Sequence, residues 1–179
     1  MPCNTANKNL LQASKFQLVF DRLPDMSFFC QTASIPGIHL PENIRSTPFV
    51  DMKQAGDKII FDTLEISFLV NENLSPWKEV FAWIQGLGFP ETFDQYNNLA
   101  NLRPSNAIGN IIPSDLSPPQ YSDGNLTIYS NKNNPLVTVS FKDLFPTALS
   151  SIDLDVRSSA GEQVTTASAS FLYSYYDLK

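Results

Sequence analysis

From Gln163 to Tyr176 the chain alternates with a period of two. Ala167, Ala169, Phe171, Tyr173 and Tyr175 fall on one face, and Val164, Thr166, Ser168, Ser170, Leu172 and Ser174 on the other. Only an extended strand sets every second side chain on the same side. The run exceeds the usual strand length of about 5 or 6 residues, and its second face is small and hydroxyl-bearing. Such a strand crosses a large sheet whose second face is wet.

Other segments read the same way. Phe16, Leu18 and Phe20 alternate in a strand at Lys15–Phe20 that Pro24 ends, and Phe28–Ser34 alternates up to the Pro36-Gly37 break. Leu64–Val70 turns Leu64, Ile66, Phe68 and Val70 inward, with Glu65 and Ser67 outward. Asn125–Ser130 and Leu136–Phe141 form a hairpin, Phe145-Pro146-Thr147 ends that unit, and Ile152–Val156 alternates again. One helix is expected over about Pro76–Leu87. It starts at Ser75-Pro76, whose hydroxyl can cap the first turn, and Trp77, Val80, Phe81 and Ile84 recur at helical spacing. The fold class is therefore mainly β, two packed antiparallel sheets in a sandwich or barrel-like arrangement with one flanking helix.

Two regions stand apart. Residues 38–61 are polar and irregular, with Pro41 and Pro48, and read as two extended arms joined by a loop. With few apolar residues on either face, this hairpin-like excursion needs water or another subunit to satisfy it. Residues 89–121 hold five prolines and many Asn; beyond a short helix near Thr92–Leu102 they read as a long surface loop. The whole, 1–179, is one domain with an N-terminal arm at 1–14.

The residues offer little chemistry. Net charge is -6 and only 17% of residues are charged, which excludes a generic basic nucleic-acid binder and fits either a surface covered by neighbouring subunits or a small loop-rich monomer. His39 is the only histidine, Cys3 and Cys30 form no disulfide framework, and no glycine-rich phosphate loop occurs. Asp153 and Asp155 share a strand side and so have the spacing to hold a cation, although exposed strand acids are the commoner explanation. Phe171, Tyr173, Tyr175 and Tyr176 read as core or subunit contact before base stacking. Glu65 and Glu79 read as solvent-facing carboxylates. No catalytic, cofactor or metal site is expected, nor is any signal segment or membrane-spanning run.

Four segments in order resemble the tail tube proteins of contractile-tailed bacteriophages: FFCQTASIPGI (Phe28–Ile38), AGDKIIFDTLEISFLVNE (Ala55–Glu72), VSFKDLFPTALSSIDLD (Val139–Asp155) and VTTASASFLYSYYDL (Val164–Leu178). The resemblance covers about half the chain, and loop 89–121 looks longer than in compact members. It implies a structural virion protein whose six copies close a ring and whose rings stack into the inner tube of a contractile tail, a conduit for DNA ejection. It maps residues 38–61 onto a hairpin that docks on the adjacent ring through Arg45, Asp51, Lys53, Gln54, Asp57 and Lys58. The Ser/Thr-rich face would line the lumen, with Asp153, Asp155 and Glu162 as candidate acids facing inward. Implied partners are further copies of the chain, the sheath protein, and baseplate and neck proteins. DNA is passing cargo, and assembly takes place in the host cytoplasm. The resemblance also admits a tube initiator at the baseplate, a tube terminator, or the tube of an injection or secretion apparatus.

Overall fold

The computed structural model describes residues 10–88, 90–101, 120–154 and 164–179. Most of the arm 1–14, most of loop 89–121, and Asp155 and Glu162 lie wholly or partly outside them.

Seven strands form one antiparallel sheet folded into two layers. In the first layer β1 (Phe16–Phe20) pairs with β8 (Ser122–Tyr129), and β8 with the front half of β9 (Pro135–Leu149). In the second layer the back of β9 pairs with β10 (Thr166–Leu172), β10 with β7 (Leu64–Leu69), and β7 with β2 (Cys30–Ala33). The last strand, β11 (Tyr175–Leu178), returns to the front half of β9. The inward faces meet: Phe20 of β1 stacks on Phe171 of β10 with ring centroids 5.1 Å apart. Leu18, Leu64, Ile66, Phe68, Leu126, Val139, Phe141 and Phe171, each at most 2% exposed, complete this alternation of dry faces.

The fold turns its corner at Asp143, whose φ of 56° lies in the left-handed region that Asp tolerates better than most residues. Asp123 holds the bend by accepting from the Asp143 amide and the Lys142 ammonium. Three expectations are revised in this part of the chain. The hairpin strand does not end at Phe145-Pro146-Thr147 but continues to Leu149, because a bulge opposite Ser170/Phe171 seats Pro146, which has no amide to donate. The long terminal strand keeps one register against β9, from Leu172↔Phe145 to Tyr175↔Lys142, yet breaks at Tyr173 and Ser174 as it rounds the corner. The break shifts its phase, so Tyr173 is buried while Tyr175 is exposed and Tyr176 turns inward. Residues 152–154, the described part of the strand expected at Ile152–Val156, are not strand.

Helix α1 (Met26–Phe29) replaces the start of the expected strand at 28–34. The Asp25 carbonyl accepts from the Phe28 and Phe29 amides, and the turn places Met26 in the core while leaving Phe28 exposed. Helix α2 (Ser75–Gly88) forms as expected, but its cap is Asn71, which accepts from the Ser75 amide and donates to the Ser75 hydroxyl. Its buried face is Pro76, Val80, Trp83 and Gly86, about a quarter turn from the expected stripe at 100° per residue. Phe81 is 45% exposed. The cause is α3 (Asp94–Asn101), which falls where a short helix was expected and presses Leu99 onto Gly86, where an added Cβ would run into Leu99 Cδ1. Trp83 then faces Phe171 and donates its indole N–H to the Gln120 carbonyl.

Candidate assembly surfaces

The excursion at 38–61 is an interrupted hairpin. At its base β3 (Ile38–His39) pairs with β6 (Ile60–Phe61), and farther out β4 (Glu42–Arg45) pairs with β5 (Met52–Ala55). Glu42 to Arg45 and Met52 to Ala55 are exposed throughout, so the two outer strands satisfy each other's backbone but bury little of their side chains. At the tip the Thr47 hydroxyl donates to the Val50 carbonyl at 2.5 Å and accepts from the Val50 amide, while Ser46 donates to Asp51.

The six polar residues expected to make contacts are all exposed but do not form one cluster. Arg45 lies opposite Met52 and Gln54 opposite Asn43; Lys53 pairs with Glu42 at 2.9 Å; Asp51 belongs to the tip; Asp57 and Lys58 lie past Gly56 toward the base. An exposed pair such as Lys53–Glu42 contributes about 0.2 to 1 kcal/mol. The excursion also carries more apolar surface than its sequence reading allowed: Ile38, Leu40, Ile44, Phe49, Val50, Met52, Ile59 and Ile60 are all more than half exposed. The Thr-Pro-Phe-Val run at 47–50 was the signal for this, since a turn has no interior in which to hide Phe49.

The second surface is the outward face of the β2, β7, β10 and rear β9 layer. Cross-strand register sets Ser168 beside Ser67 and Ser170 beside Glu65. The Thr32 and Ser67 hydroxyls hydrogen-bond each other, Thr147 donates to the Ser170 carbonyl, and the Ser168 amide donates to the Ser150 hydroxyl. β2, β7, β10 and residues 145–150 contain no Lys or Arg, and Glu65 is their only acid. The expected wet, hydroxyl-rich face is therefore present, and its carboxylate is Glu65, which had been read only as solvent-facing. Asp153 is exposed but sits in the non-strand segment after β9. Asp155 and Glu162 lie outside the described residues.

Neither surface gathers reactive groups. Among the described residues no group of three or more His, Cys, Asp or Glu is placed to hold a metal ion. His39 contacts Asp62 at 3.2 Å on the surface at the hairpin base. Burial pushes the Cys30 thiol up to about 11, away from the thiolate that would react. Tyr173, pushed up to about 12 mainly by burial, donates to the Asp62 carbonyl, and Tyr176 donates to that of Pro36. With Phe171 buried as well, three of the four C-terminal aromatics serve the core and tie the excursion to it. Glu79 departs from its solvent-facing reading: burial, with a smaller push from Asp25, raises its carboxyl to about 7.

A family model described as phage tail tube protein matches residues 3–179. No curated protein matches the sequence. Among solved structures, a chain of the anti-feeding prophage baseplate is similar over 96% of this chain and 97% of its own, with 13% identity and a TM-score of 0.62. A chain of the anti-feeding prophage tube-terminating cap is similar over 99% and 95%, with 13% identity and a TM-score of 0.59. A chain of the sheath–tube complex of an extracellular contractile injection system is similar over 97% and 93%, with 12% identity and a TM-score of 0.56. At such identities the likeness is one of fold.

Proposed function

The chain belongs to the phage tail tube protein family, a structural and not an enzymatic one, and on that premise we propose that six copies close a ring and that the rings stack into the inner tube of a contractile tail. The outward face of the β2–β7–β10 layer is the observation that carries this reading. A sheet with a dry core on one side and a hydroxyl-rich side free of Lys and Arg suits a water-filled lumen. Among the described residues β1 and β2 each pair on one side only, and ring closure would give their open edges partners. DNA carries one phosphate charge per about 1.7 Å of duplex, and a basic wall would grip it. A wall of hydroxyls whose one acid among these described strands is Glu65 lets it slide.

In this reading the excursion at 38–61 reaches the adjacent ring, the sheath surrounds the tube, and baseplate and neck proteins close its ends. The tube is built in the host cytoplasm and works in the virion. Electron microscopy of the purified chain is the direct test: rings about one subunit thick, or tubes made of them, are expected, and a chain that stays monomeric at high concentration refutes the reading. The fold likeness to a baseplate chain and to a tube-terminating cap supports a second reading, an initiator or terminator of the same tube. Copy number per particle separates the two, since the tube subunit is among the most abundant virion bands and an initiator is present in one or two rings. An injection apparatus is distinguished by particles that hold no DNA.

A further inference from the structure

The excursion presents one side chain more openly than any other large apolar residue described: Phe49 is 99% exposed. It is held out by a shaped turn, since the Thr47 hydroxyl both donates to and accepts from Val50. A phenyl ring on a preorganised tip loses little conformational freedom when it docks. Elsewhere on the chain an open cleft of about 100 Å³ is lined by Leu10, Leu11, Tyr129 and Leu136, with the polar Gln12, Ser130 and Asn131 beside them. These leucines are themselves exposed, at 88%, 63% and 51%. The cleft is on the order of the ~150 Å³ that takes up a benzene ring in a protein interior.

Charge follows the same division. The tip, residues 46–51, has one ionisable side chain, Asp51. The cleft segments, 10–15 and 129–137, carry Lys15 and Lys132 and no acid. Lys15 already reaches across the cleft rim to the Asn131 carbonyl at 2.8 Å. A knob and a socket at different places on one chain make a head-to-tail contact, the kind that propagates along an axis instead of closing on itself.

We propose that Phe49 of one copy seats in the cleft formed by Leu10, Leu11, Tyr129 and Leu136 of a second copy in the next ring, with Asp51 facing Lys15 and Lys132. The contact rests on the stacking reading and supplies its apolar anchor; the polar residues of the excursion set its surroundings.

Phe49→Ser tests it with little risk to folding, because the side chain touches almost nothing in its own chain. Rings of unchanged size are expected, with the protein concentration needed for stacking raised about tenfold or more, the change that follows from losing one buried large apolar side chain. Leu136→Ser gives the same result from the socket side. A mixture of F49C chains and L136C chains, assembled and mildly oxidised, yields a disulfide-linked heterodimer joining residues 49 and 136 by peptide mass spectrometry. Stacking of Phe49→Ser at the wild-type concentration, or assembled tubes without the 49–136 link, overturns the contact and leaves the stacking reading intact. A wild-type chain that never forms rings or tubes overturns both.

Discussion

Replacing Glu79 with Gln removes a pH dependence that the fold builds into α2. At 100° per residue Glu79 falls between Gly86 and Trp83, inside the buried arc of the helix. Its Oε2 is shut away from water and accepts no hydrogen bond. The carboxyl is raised from 4.5 to about 7, first by burial and second by the Asp25 carboxylate. Between those values the native chain holds a proton that the unfolded chain has released, so stability falls as pH rises from 4.5 toward 7 and is flat above. The full difference corresponds to roughly 3 kcal/mol at about 1.4 kcal/mol per tenfold. Glu79 keeps some exposure, and solvent screening reduces this to about 1 to 2 kcal/mol. Glu79→Gln keeps the shape and carries no charge. In urea titrations at pH 4.5 and pH 8, the wild type loses about 1 to 2 kcal/mol more than the variant across the interval, or about 2 to 8 °C in Tm. Equal losses in the two proteins would show that the carboxyl ionises in contact with water and that the buried setting of α2 is wrong.

The rotation of α2 gives a second contrast: Trp83→Ala costs about 3 to 5 kcal/mol and Phe81→Ala about 1 or less, by chemical denaturation, although the sequence stripe ranks Phe81 as core. Gly86→Ala destabilises by about 1 to 3 kcal/mol because its Cβ meets Leu99, and Leu99→Ala by about 2 to 5. The double variant is more stable than their sum, since each change relieves the other. Glu65→Lys leaves ring formation and stacking unchanged but slows DNA release from assembled particles, measured by dye access to ejected DNA. Unaltered release would remove the electrostatic part of the conduit proposal.

Periodicity alone placed the central strands and showed which of their faces are dry. The alternation of Leu64, Ile66 and Phe68, and of Ala167, Ala169 and Phe171, records two surfaces of opposite solubility, and no neighbour is needed to read it. The hydroxyl-rich face, the existence of α2 and α3, and the extended arms at 38–61 were legible for the same reason. The family resemblance drawn from four segments agrees with the family match over residues 3–179. What tertiary structure decided are choices among faces that sequence left nearly equal. Trp77, Val80, Phe81 and Ile84 make as good a stripe as Pro76, Val80 and Trp83 until Leu99 arrives from another helix and covers Gly86. That choice carried Glu79 inward and Phe81 outward. The corner at Asp143 likewise broke the terminal strand at Tyr173 and exchanged Tyr175 for Tyr176 in the core. A repeat along the chain states which side chains can share a face; which face is buried depends on partners brought from far away in sequence, and only packing supplies them.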